Sequence, residues 1–251
     1  MIRQVSSVAE WRAMRAALPE PVGFVPTMGA LHEGHLSLFR RCRDECATVV
    51  GSVFVNPTQF DDPGDLERYP RDLGRDLALL EPVGVDALLT PDVSQLYPDD
   101  YRYRVSEGEL SRTLCGASRP GHFDGVLTVV MKLLNLIRPS RAYFGEKDYQ
   151  QLLLVQGMAK AFFMDVEVVG CPIVRDADGV ALSSRNALLD REGRQAAAAF
   201  ARILREGVDA EAVRRALTRE GIEVDYVEER MGRRFGAVRV GGVRLIDNVP
   251  A

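Results

Sequence analysis

Two histidines, three positions apart, stand where a helix is predicted to begin. His32 and His35 follow a short apolar strand, predicted over residues 23–26, and the helix is predicted over residues 34–47. At the first turn of a helix this spacing places both imidazoles on one side, and the glycine between them, Gly34, lets a ligand approach the backbone. Backbone N–H groups and the helix dipole attract an anion to such a start. The pattern therefore predicts a phosphate site in which imidazole N–H groups stabilise developing negative charge.

The same stretch has two other interpretations. A zinc protease needs His-Glu-x-x-His, but position 36 is Leu36 rather than a histidine, so that motif is absent. Two solvated histidines near a helix cap are the plain structural alternative, and these residues alone leave it open.

Two further segments carry groups that suit phosphates. Segment 145–148 (Gly-Glu-Lys-Asp) follows a strand predicted over residues 141–144. Its Lys147 can meet phosphates as a point charge, and Asp148 can accept hydrogen bonds from nucleotide hydroxyls or help to place a metal-bound water. Segment 183–185 (Ser-Ser-Arg) offers two hydroxyls and a planar guanidinium to phosphate oxygens. An exposed helix lysine and a helix N-cap are the structural alternatives for the two segments.

The predicted element order explains how distant segments meet. Helices of about 10–17 residues, among them those predicted over residues 125–137 and 147–163, separate strands that are predicted over residues 23–26, 48–55, 87–90, 141–144 and 166–169. This alternation indicates an α/β fold, a Rossmann-like doubly wound parallel sheet whose ligands lie outside the carboxyl ends of the strands. The histidine pair and segment 145–148 both follow such strands, so they are expected to share one cleft.

The pattern changes in the last third of the chain. Residues 174–181 carry a hairpin signal (Asp-Gly), residues 191–220 are Ala- and Arg-rich and helical, and two short strands surround the Gly-Gly at 241–242. We therefore predict two domains, residues 1–173 and a smaller α+β domain of residues 174–251.

Composition and charge exclude several classes of protein. The 251 residues are 46% hydrophobic and 27% charged, as in ordinary globular proteins, and a net charge of −4 argues against a general nucleic-acid binder. The four cysteines form no Cys-x-x-Cys and are interpreted as reduced thiols, with a structural zinc site as the alternative. Neither a signal peptide nor an apolar run long enough to cross a membrane is evident. These features predict a cytoplasmic protein.

Several longer strings resemble the pantothenate synthetase (pantoate–β-alanine ligase) family. His-x-Gly-His after a strand is similar to the motif of the nucleotidyltransferase superfamily. Strings typical of the narrower family occur in family order at residues 26–35, 54–60, 69–71, 119–126, 144–151 and 183–186. The family usually has Met where this chain has Leu182, a substitution that keeps volume and apolarity.

The resemblance implies a two-step reaction. ATP and pantoate give pantoyl adenylate and pyrophosphate, and the amine of β-alanine then attacks the activated acyl carbon to give pantothenate and AMP. The family uses Mg²⁺ held chiefly by the phosphates of ATP, so no protein ligands to the metal are expected. The resemblance also implies a homodimer through the N-terminal domain. Neither a nucleic-acid nor a membrane partner is expected.

The same resemblance gives roles to the motif residues. Catalytic roles fall to His32, His35, Lys147 and Arg185. ATP contacts are implied for Met28, Gly29, Ala30, Leu31, His32, Glu33, Gly34, His35, Gly145, Glu146, Lys147, Asp148, Val174, Leu182, Ser183, Ser184 and Arg185. Pantoate and β-alanine contacts are implied for Met28, Asn56, Gln59 and Gln151, with Phe60 beside Met28 as an apolar wall. In an alternative interpretation Asn56 orients the Gln59 loop, and His122 fits a structural role as well as a catalytic one.

Two other functions stay open, and the C-terminal part departs from the family pattern. Other nucleotidyltransferases share His-x-Gly-His, and a binding or regulatory protein on a decayed enzyme scaffold is a further alternative. Only 15 residues lie between two C-terminal matches, at 224–228 and 244–248, where the family has an extra strand and helix. We therefore expect a shortened lid domain that covers the cleft less fully.

Overall fold

A parallel sheet of six strands organises the first two thirds of the chain, and the computed structural model describes all 251 residues. Its strands are β1 (Arg3–Val5), β2 (Val22–Thr27), β3 (Thr48–Val53), β4 (Ala87–Leu89), β5 (Arg141–Gly145) and β6 (Glu167–Cys171). Their spatial order is β1-β4-β3-β2-β5-β6. The chain runs from β2 through β3 to β4 and then places β5 on the other side of β2. The carboxyl ends of β2 and β5 therefore flank the switch point, where doubly wound sheets bind ligands.

Most of the helices lie between these strands and cover both faces of the sheet. The helices are α1 (Val8–Arg15), α2 (Glu33–Glu45), α3 (Pro63–Arg68), α4 (Leu73–Leu80), α5 (Val93–Leu96), α6 (Cys115–Ser118), α7 (His122–Ile137), α8 (Tyr149–Ala161), α9 (Arg191–Glu206) and α10 (Ala210–Arg219). Of these, α1 to α8 lie between the strands of the parallel sheet, whereas α9 and α10 follow β6. Three of the short 3₁₀ turns lie near the site described below, at Pro57–Gln59, Glu146–Asp148 and Ser184–Leu188.

The apolar side chains of β2 show why this sheet is buried on both faces. Successive side chains of a strand point to opposite faces. Phe24 joins a core with Trp11 of α1, while Val25 joins a second core with Phe39 of α2 and Leu80 of α4. A strand buried on both faces is a continuous apolar run in sequence, which is the pattern that predicted a strand over residues 23–26.

A second sheet, here called the C-terminal sheet, ends the chain. It is an antiparallel meander of β7 (Glu223–Arg230), β8 (Arg233–Val240) and β9 (Val243–Pro250). One face shares a core with α9 and α10, to which Leu204 and Val238 both belong. The other face contributes Tyr226 and Phe235 to the core of the parallel sheet. The C-terminal sheet is therefore packed on both faces, and its inner face belongs to the same core as α7 and β5.

The predicted helix over residues 191–220 is two helices in the structure. The chain turns sharply at Gly207, where a Cβ would lie only 2.2 Å from a methyl group of Val213. Asp209 then caps α10, because its side chain accepts a hydrogen bond from the N–H of Ala212 at 2.7 Å. A glycine followed closely by an N-cap residue is the local signal for such a break.

Other elements differ from the predicted bounds by a few residues. Helix α7 begins at His122, three residues before the predicted start, because Gly121 adopts a left-handed φ of +82° and turns the chain into the helix. The helix predicted over residues 147–163 is preceded by a 3₁₀ turn and begins at Tyr149. The hairpin signal at 174–181 gives a tight turn with one antiparallel bridge, whereas the two strands around residues 241–242 are longer than predicted.

Candidate active site

A cavity of about 340 Å³ opens at the carboxyl ends of β2 and β5, and segment 172–186 and β9 complete its wall. The predicted site residues that line it are Met28, His32, Gly34, His35, Asn56, Gln59, Phe60, Gly145, Lys147, Asp148, Gln151, Val174, Leu182, Ser183, Ser184 and Arg185. Residues that are distant in sequence thus meet at the place that the fold class predicts for a ligand.

Five of the residues implied by the resemblance do not line this cavity. Leu31 is fully buried, and Glu33 points outward to form an ion pair with Arg40. The others, Gly29, Ala30 and Glu146, belong to the loops that shape the wall. The first two carry positive φ angles of 79° and 50°, so this turn follows an unusual backbone path.

The two histidines cap the start of α2 with their own side chains. The N–H of Gly34 donates to Nδ1 of His32 at 3.1 Å, and the N–H of His32 donates to Nδ1 of His35 at 3.4 Å. The ring centroids lie 4.0 Å apart, and the ring planes are tilted by 36°. Because a backbone N–H can only donate, each Nδ1 must be the unprotonated acceptor, and each neutral ring carries its proton on Nε2. This arrangement is a capping box built from imidazoles.

Both imidazoles are neutral at pH 7. Burial lowers the pKa of His32 to about 4, and the positive charge of Lys147 contributes to this shift. Burial also holds the pKa of His35 well below its ordinary value, with His32 and Lys147 as further causes. Two neutral rings that use Nδ1 for the backbone leave two Nε2–H groups as hydrogen-bond donors for a ligand.

The structure explains the need for glycine at position 34 differently from the sequence. A Cβ at this position would lie 2.9 Å from the imidazole of His32, so the histidine ring fills the space beside Gly34 that was expected to admit a ligand. The N–H groups of His32, Gly34 and His35 are also already bonded inside the protein. An anion at this helix start would therefore meet side-chain donors more than backbone donors.

Asp76 of α4 fixes the loop that precedes the histidines. Its buried carboxylate accepts hydrogen bonds from the N–H groups of Ala30 and Leu31, at 2.9 and 2.7 Å. Burial raises the pKa of Asp76. The residue is absent from the sequence-based predictions, because nothing in the amphipathic helix around it shows that its carboxylate turns toward a loop more than forty residues away.

Lys147 enters the cavity from the 3₁₀ turn that follows β5. Its side chain is 19% exposed, and Nζ lies 3.7 Å from a carboxylate oxygen of Asp148. The side-chain amide of Asn248 donates to the carbonyl oxygens of Glu146 and Lys147. Asn248 lies on β9 and is absent from the predicted site residues, although the stretch around it matches the family pattern.

The serine-rich segment combines a helix cap with contacts to the histidine loop. Ser183 accepts a hydrogen bond from the N–H of Arg185, so the N-cap interpretation holds for this residue. Ser184 donates to the carbonyl of Ala30 at 3.0 Å. Arg185 pairs with Asp65 of α3 through Nε and Nη2, at 3.3 and 2.7 Å. Arg185 lines the cavity, and its Nη1 makes no hydrogen bond within the protein, so that group is free for a ligand.

Asn56 is a buried hub, and this supports its orienting role. Its Oδ1 accepts hydrogen bonds from Thr58 and from the hydroxyl of Tyr97, and its Nδ2 donates to the carbonyl of Gly125 and to Oε1 of Gln59. The residue is 1% exposed. Since every polar atom of the Asn56 side chain is used inside the protein, the contacts favour orientation of Gln59 over direct contact with β-alanine.

His122 also serves the Gln59 loop. An arginine can only donate, so Nε2 of His122 accepts from Arg119 at 3.3 Å, and its Nδ1–H donates to the carbonyl of Gln59 at 2.7 Å. Burial lowers the pKa of His122 to about 4. These contacts support the structural interpretation of this histidine.

The two adjacent glutamines of α8 have different surroundings. Gln150 is buried and bonds to the backbone of Leu110, Thr113 and Cys115. Gln151 lines the cavity, and its amide is free for a ligand. Gln59 faces the same cavity, with its Nε2 at 3.0 Å from the sulfur of Met28. The neutral amides and the thioether thus form one polar–apolar wall.

We expect the free energy of unfolding to fall as the pH drops from 6.5 toward 4. The pKa values of His32 and His122 lie at about 4 in the folded chain, and that of His35 lies well below the ordinary 6.5. In this window the unfolded chain binds protons that the folded chain does not, so stability present above pH 6.5 is lost as the pH falls. Urea unfolding at several pH values measures the slope.

The variant His122→Gln provides the control for this slope. It removes one of the three histidines of the chain while keeping a neutral hydrogen-bond donor, so the pH dependence should become shallower. An unchanged slope in the variant, or a flat profile in the parent, would contradict the assignment.

The structure contains neither a preformed metal site nor a membrane-spanning helix. No group of three or more His, Cys, Asp or Glu side chains is arranged to hold a metal ion. No helix combines the length and apolarity needed to cross a bilayer. All four cysteines are buried and free.

Known proteins resemble the chain over its full length. The sequence model of the family described as pantoate-beta-alanine ligase matches residues 1–250. A protein of Bdellovibrio bacteriovorus named pantothenate synthetase is 52% identical over 249 residues, which are 99% of this chain and 99% of that protein.

Two solved structures have the same fold as this chain. The pantothenate synthetase from Thermus thermophilus has a TM-score of 0.91 and 48% identity, with 99% of each chain covered. The pantoate-beta-alanine ligase from Francisella tularensis, described as complexed with beta-gamma ATP and beta-alanine, has a TM-score of 0.95 and 38% identity, with 100% of this chain and 98% of that chain covered.

These matches confirm the fold class, the enzyme class and the reaction predicted from the sequence. The chain covers 99% of the Bdellovibrio and Thermus proteins and 98% of the Francisella chain. This chain is therefore about as long as these three proteins. The shorter C-terminal part that the sequence led us to expect does not distinguish it from them. The chain belongs to the pantoate–β-alanine ligase family.

Proposed function

We propose that the cavity at β2 and β5 carries out both steps of the family reaction, the ATP-dependent condensation of pantoate with β-alanine. The observation that supports this most is the convergence of two neutral histidine donors, one lysine, one arginine and two neutral amides on one cleft. The first four groups suit phosphate oxygens, and the amides suit a substrate that bears hydroxyls.

In the first step a pantoate carboxylate oxygen attacks the α-phosphorus of ATP. The new O–P bond forms as the bond to pyrophosphate breaks, giving pantoyl adenylate. His32 and His35 donate Nε2–H groups to the phosphate oxygens, while Lys147 and Arg185 balance the charge that develops there. No proton has to move to the leaving pyrophosphate, so neutral histidines suffice as donors.

Gln59 and Gln151 hold the hydroxyl-bearing part of pantoate in this proposal. A neutral amide offers two donors and an acceptor, and it forms no ion pair with the carboxylate that must attack. Met28 lies beside Gln59 and supplies an apolar surface for the gem-dimethyl group. Asn56 and His122 keep the Gln59 loop in this position through the contacts described above.

In the second step the β-alanine amine attacks the acyl carbon of the adenylate. A C–N bond forms, the bond to AMP breaks, and the amine releases a proton to give pantothenate. Alignment of both reactants in one cleft removes the entropy of a bimolecular encounter. The Francisella enzyme, described as complexed with beta-gamma ATP and beta-alanine, supports the assignment of both ligands.

The role of Mg²⁺ is also a proposal. In this proposal the ion arrives with the ATP phosphates and keeps several waters, as Mg²⁺ commonly does. Asp148 is the carboxylate beside Lys147 that could accept a hydrogen bond from such a water. When bound, the ion neutralises part of the phosphate charge.

We further propose that residues 1–173 bind ATP and pantoate and that residues 174–251 complete the cleft and shield the adenylate from water. A cytoplasmic location suits the four buried free thiols. The family resemblance supports a homodimer through the N-terminal domain.

Exchange of labelled pyrophosphate into ATP tests the proposed function. We expect exchange only when pantoate is present, because the reverse of adenylation needs the acyl adenylate. Exchange without pantoate would point to another nucleotidyltransferase, and no exchange by pure, folded protein would support a decayed scaffold. Formation of one AMP per pantothenate after addition of β-alanine checks the second step and excludes loss of adenylate to water.

A further inference from the structure

Asn248 reaches from the C-terminal sheet to the backbone around Lys147. Its Nδ2 donates to the carbonyl oxygen of Glu146 at 3.0 Å and to that of Lys147 at 2.9 Å. Its Oδ1 accepts from Nε of Arg233 at 2.5 Å. Asn248 is 1% exposed, so these bonds form away from solvent and the amide has one orientation that satisfies all of them.

The two carbonyls belong to the peptide units on either side of the Cα of Lys147. One hydrogen bond restrains the unit between Glu146 and Lys147, and the other restrains the unit between Lys147 and Asp148. Since φ and ψ describe rotation about the bonds that join these two units to the Cα, both soft angles of Lys147 are restrained from one side chain. The Cα–Cβ direction of the lysine follows from those angles.

The segment has little other support of this kind. The 3₁₀ turn Glu146–Asp148 has no side-chain cap at Gly145. Arg233 of β8 also contacts residues at both ends of this turn. Its guanidinium lies 4.5 Å from the ring centroid of Tyr149 and 3.8 Å from a carboxylate oxygen of Glu146. The side of the turn that faces β9 is therefore held by the C-terminal sheet.

Attachment of the C-terminal sheet does not depend on Asn248. Tyr226 and Phe235 insert into the core of the parallel sheet. Arg244 donates to the hydroxyl of Ser118 at 3.1 Å, and the hydroxyl of Tyr226 lies 3.0 Å from the thiol of Cys115. These contacts attach the sheet to the first part of the chain at other points. The Nδ2 group of Asn248, by contrast, donates only to the carbonyls of Glu146 and Lys147.

We infer that Asn248 is a positioning residue for Lys147, which aims the ammonium group of the lysine at the phosphates. The inference rests on the proposed role of Lys147. It also gives the C-terminal sheet a part in the adenylation step that is separate from covering the cleft.

The variant Asn248→Asp tests this inference. Aspartate keeps the volume and the oxygen that accepts from Arg233, but it loses both donors and sets an oxygen against two carbonyls. We expect the kcat of pantoate-dependent ATP–pyrophosphate exchange to fall about 10- to 100-fold, as for a catalytic group displaced by roughly 1 Å. The KM for pantoate should change less than about twofold, because the pantoate wall lies on Gln59 and Gln151.

A double-mutant cycle with Lys147→Ala separates positioning from general structure. If Asn248 acts through the lysine, Asn248→Asp should have almost no further effect once the lysine side chain is gone. An equal loss in both backgrounds would overturn the inference. If Lys147→Ala alone leaves exchange unchanged, it is the proposed role of the lysine that fails.

Two further variants keep the result decisive. Ser118→Ala removes another hydrogen bond between β9 and the first part of the chain without touching Glu146 or Lys147, and exchange should remain at the parent rate. Should Asn248→Asp not fold, Asn248→Ser replaces it in the same cycle, because its shorter side chain cannot hold both carbonyls. A folded Asn248 variant with the parent kcat would refute the inference.

Discussion

Replacing His35 with alanine is expected to slow pantoate-dependent ATP–pyrophosphate exchange by about 10²–10³-fold, the usual cost of removing one preorganised donor to a developing oxyanion. In the folded chain Nδ1 of His35 is committed to the N–H of His32, so Nε2–H is the group that remains for a phosphate. The loss should appear in kcat more than in the KM for ATP, because the charge on the transferred phosphate grows in the transition state. Steady-state exchange at saturating pantoate measures both constants.

The variant His35→Gln distinguishes a neutral donor from an acid. The pKa of His35 lies well below its ordinary value, so an imidazolium at this position is scarce at pH 7. A glutamine can place an N–H near the position of Nε2 but cannot act as an acid there. We therefore expect His35→Gln to retain more exchange than His35→Ala. Equal inactivity of the two variants would favour proton donation.

The stability of the alanine variant provides the control. His35 accepts the N–H of His32 in the capping box, so its loss should cost about 0.5–2 kcal/mol of unfolding free energy, as for other N-caps. Thermal unfolding followed by circular dichroism measures this change. Loss of the folded state would show instead that the histidine is chiefly structural.

The position of the histidine pair could be predicted because its signals are local. A short apolar strand, a turn and a helix start are read from neighbouring residues, and the switch point of a doubly wound sheet then places the turn at a cleft. The spacing of His32 and His35 also predicts that the rings are neighbours, and the structure brings them to 4.0 Å. The spacing does not reveal that backbone N–H groups, those of Gly34 and His32, donate to both Nδ1 atoms.

The supporting residues could not be predicted because their partners are distant in sequence. Asp76 bonds to a loop more than forty residues earlier, Asp65 pairs with Arg185, and Asn248 reaches back to Lys147. Each of them is an ordinary polar residue in its own element. These side chains lie on α3, α4 and β9, and only the tertiary fold brings them to the loops after β2 and β5 and to segment 183–185.

Glycines illustrate the same limit. Gly34 was expected to leave room for a ligand, yet the ring of His32 occupies that room. At Gly125 a Cβ would lie 2.3 Å from the carbonyl oxygen of Thr58, so α7 packs directly on the 3₁₀ turn that carries Gln59. The need for a small residue is visible in the sequence, but the neighbour that imposes it is a property of the tertiary fold.

Replacing Asn56 with alanine is expected to be the most damaging change at the pantoate wall. It takes the Oδ1 acceptor away from the N–H of Thr58, and it leaves Thr58 as the one remaining partner of the Tyr97 hydroxyl. Since an unsatisfied buried polar group costs about 1–3 kcal/mol, we expect a loss of about 2–4 kcal/mol of unfolding free energy. We also expect kcat/KM for pantoate to fall about 10²-fold, because Gln59 loses the bond that orients its amide.

The matched control is Thr58→Val. Thr58 donates its hydroxyl to Oδ1 of Asn56, and valine keeps nearly the same shape. This variant removes one bond from the hub without touching Gln59, so it should lower stability and leave kcat/KM for pantoate within about twofold. Urea unfolding and exchange assays on the same preparations separate the two effects.

The two roles considered for Asn56 predict different kinetics. If Asn56 orients Gln59, then Asn56→Ala and Gln59→Ala should be strongly non-additive in kcat/KM for pantoate, since both disable the same amide. The KM for β-alanine should stay near the parent value in the complete reaction. A raised KM for β-alanine with additive effects on pantoate would instead place Asn56 at the amine. The five hydrogen bonds that the Asn56 side chain makes within the protein leave it no polar atom for that task.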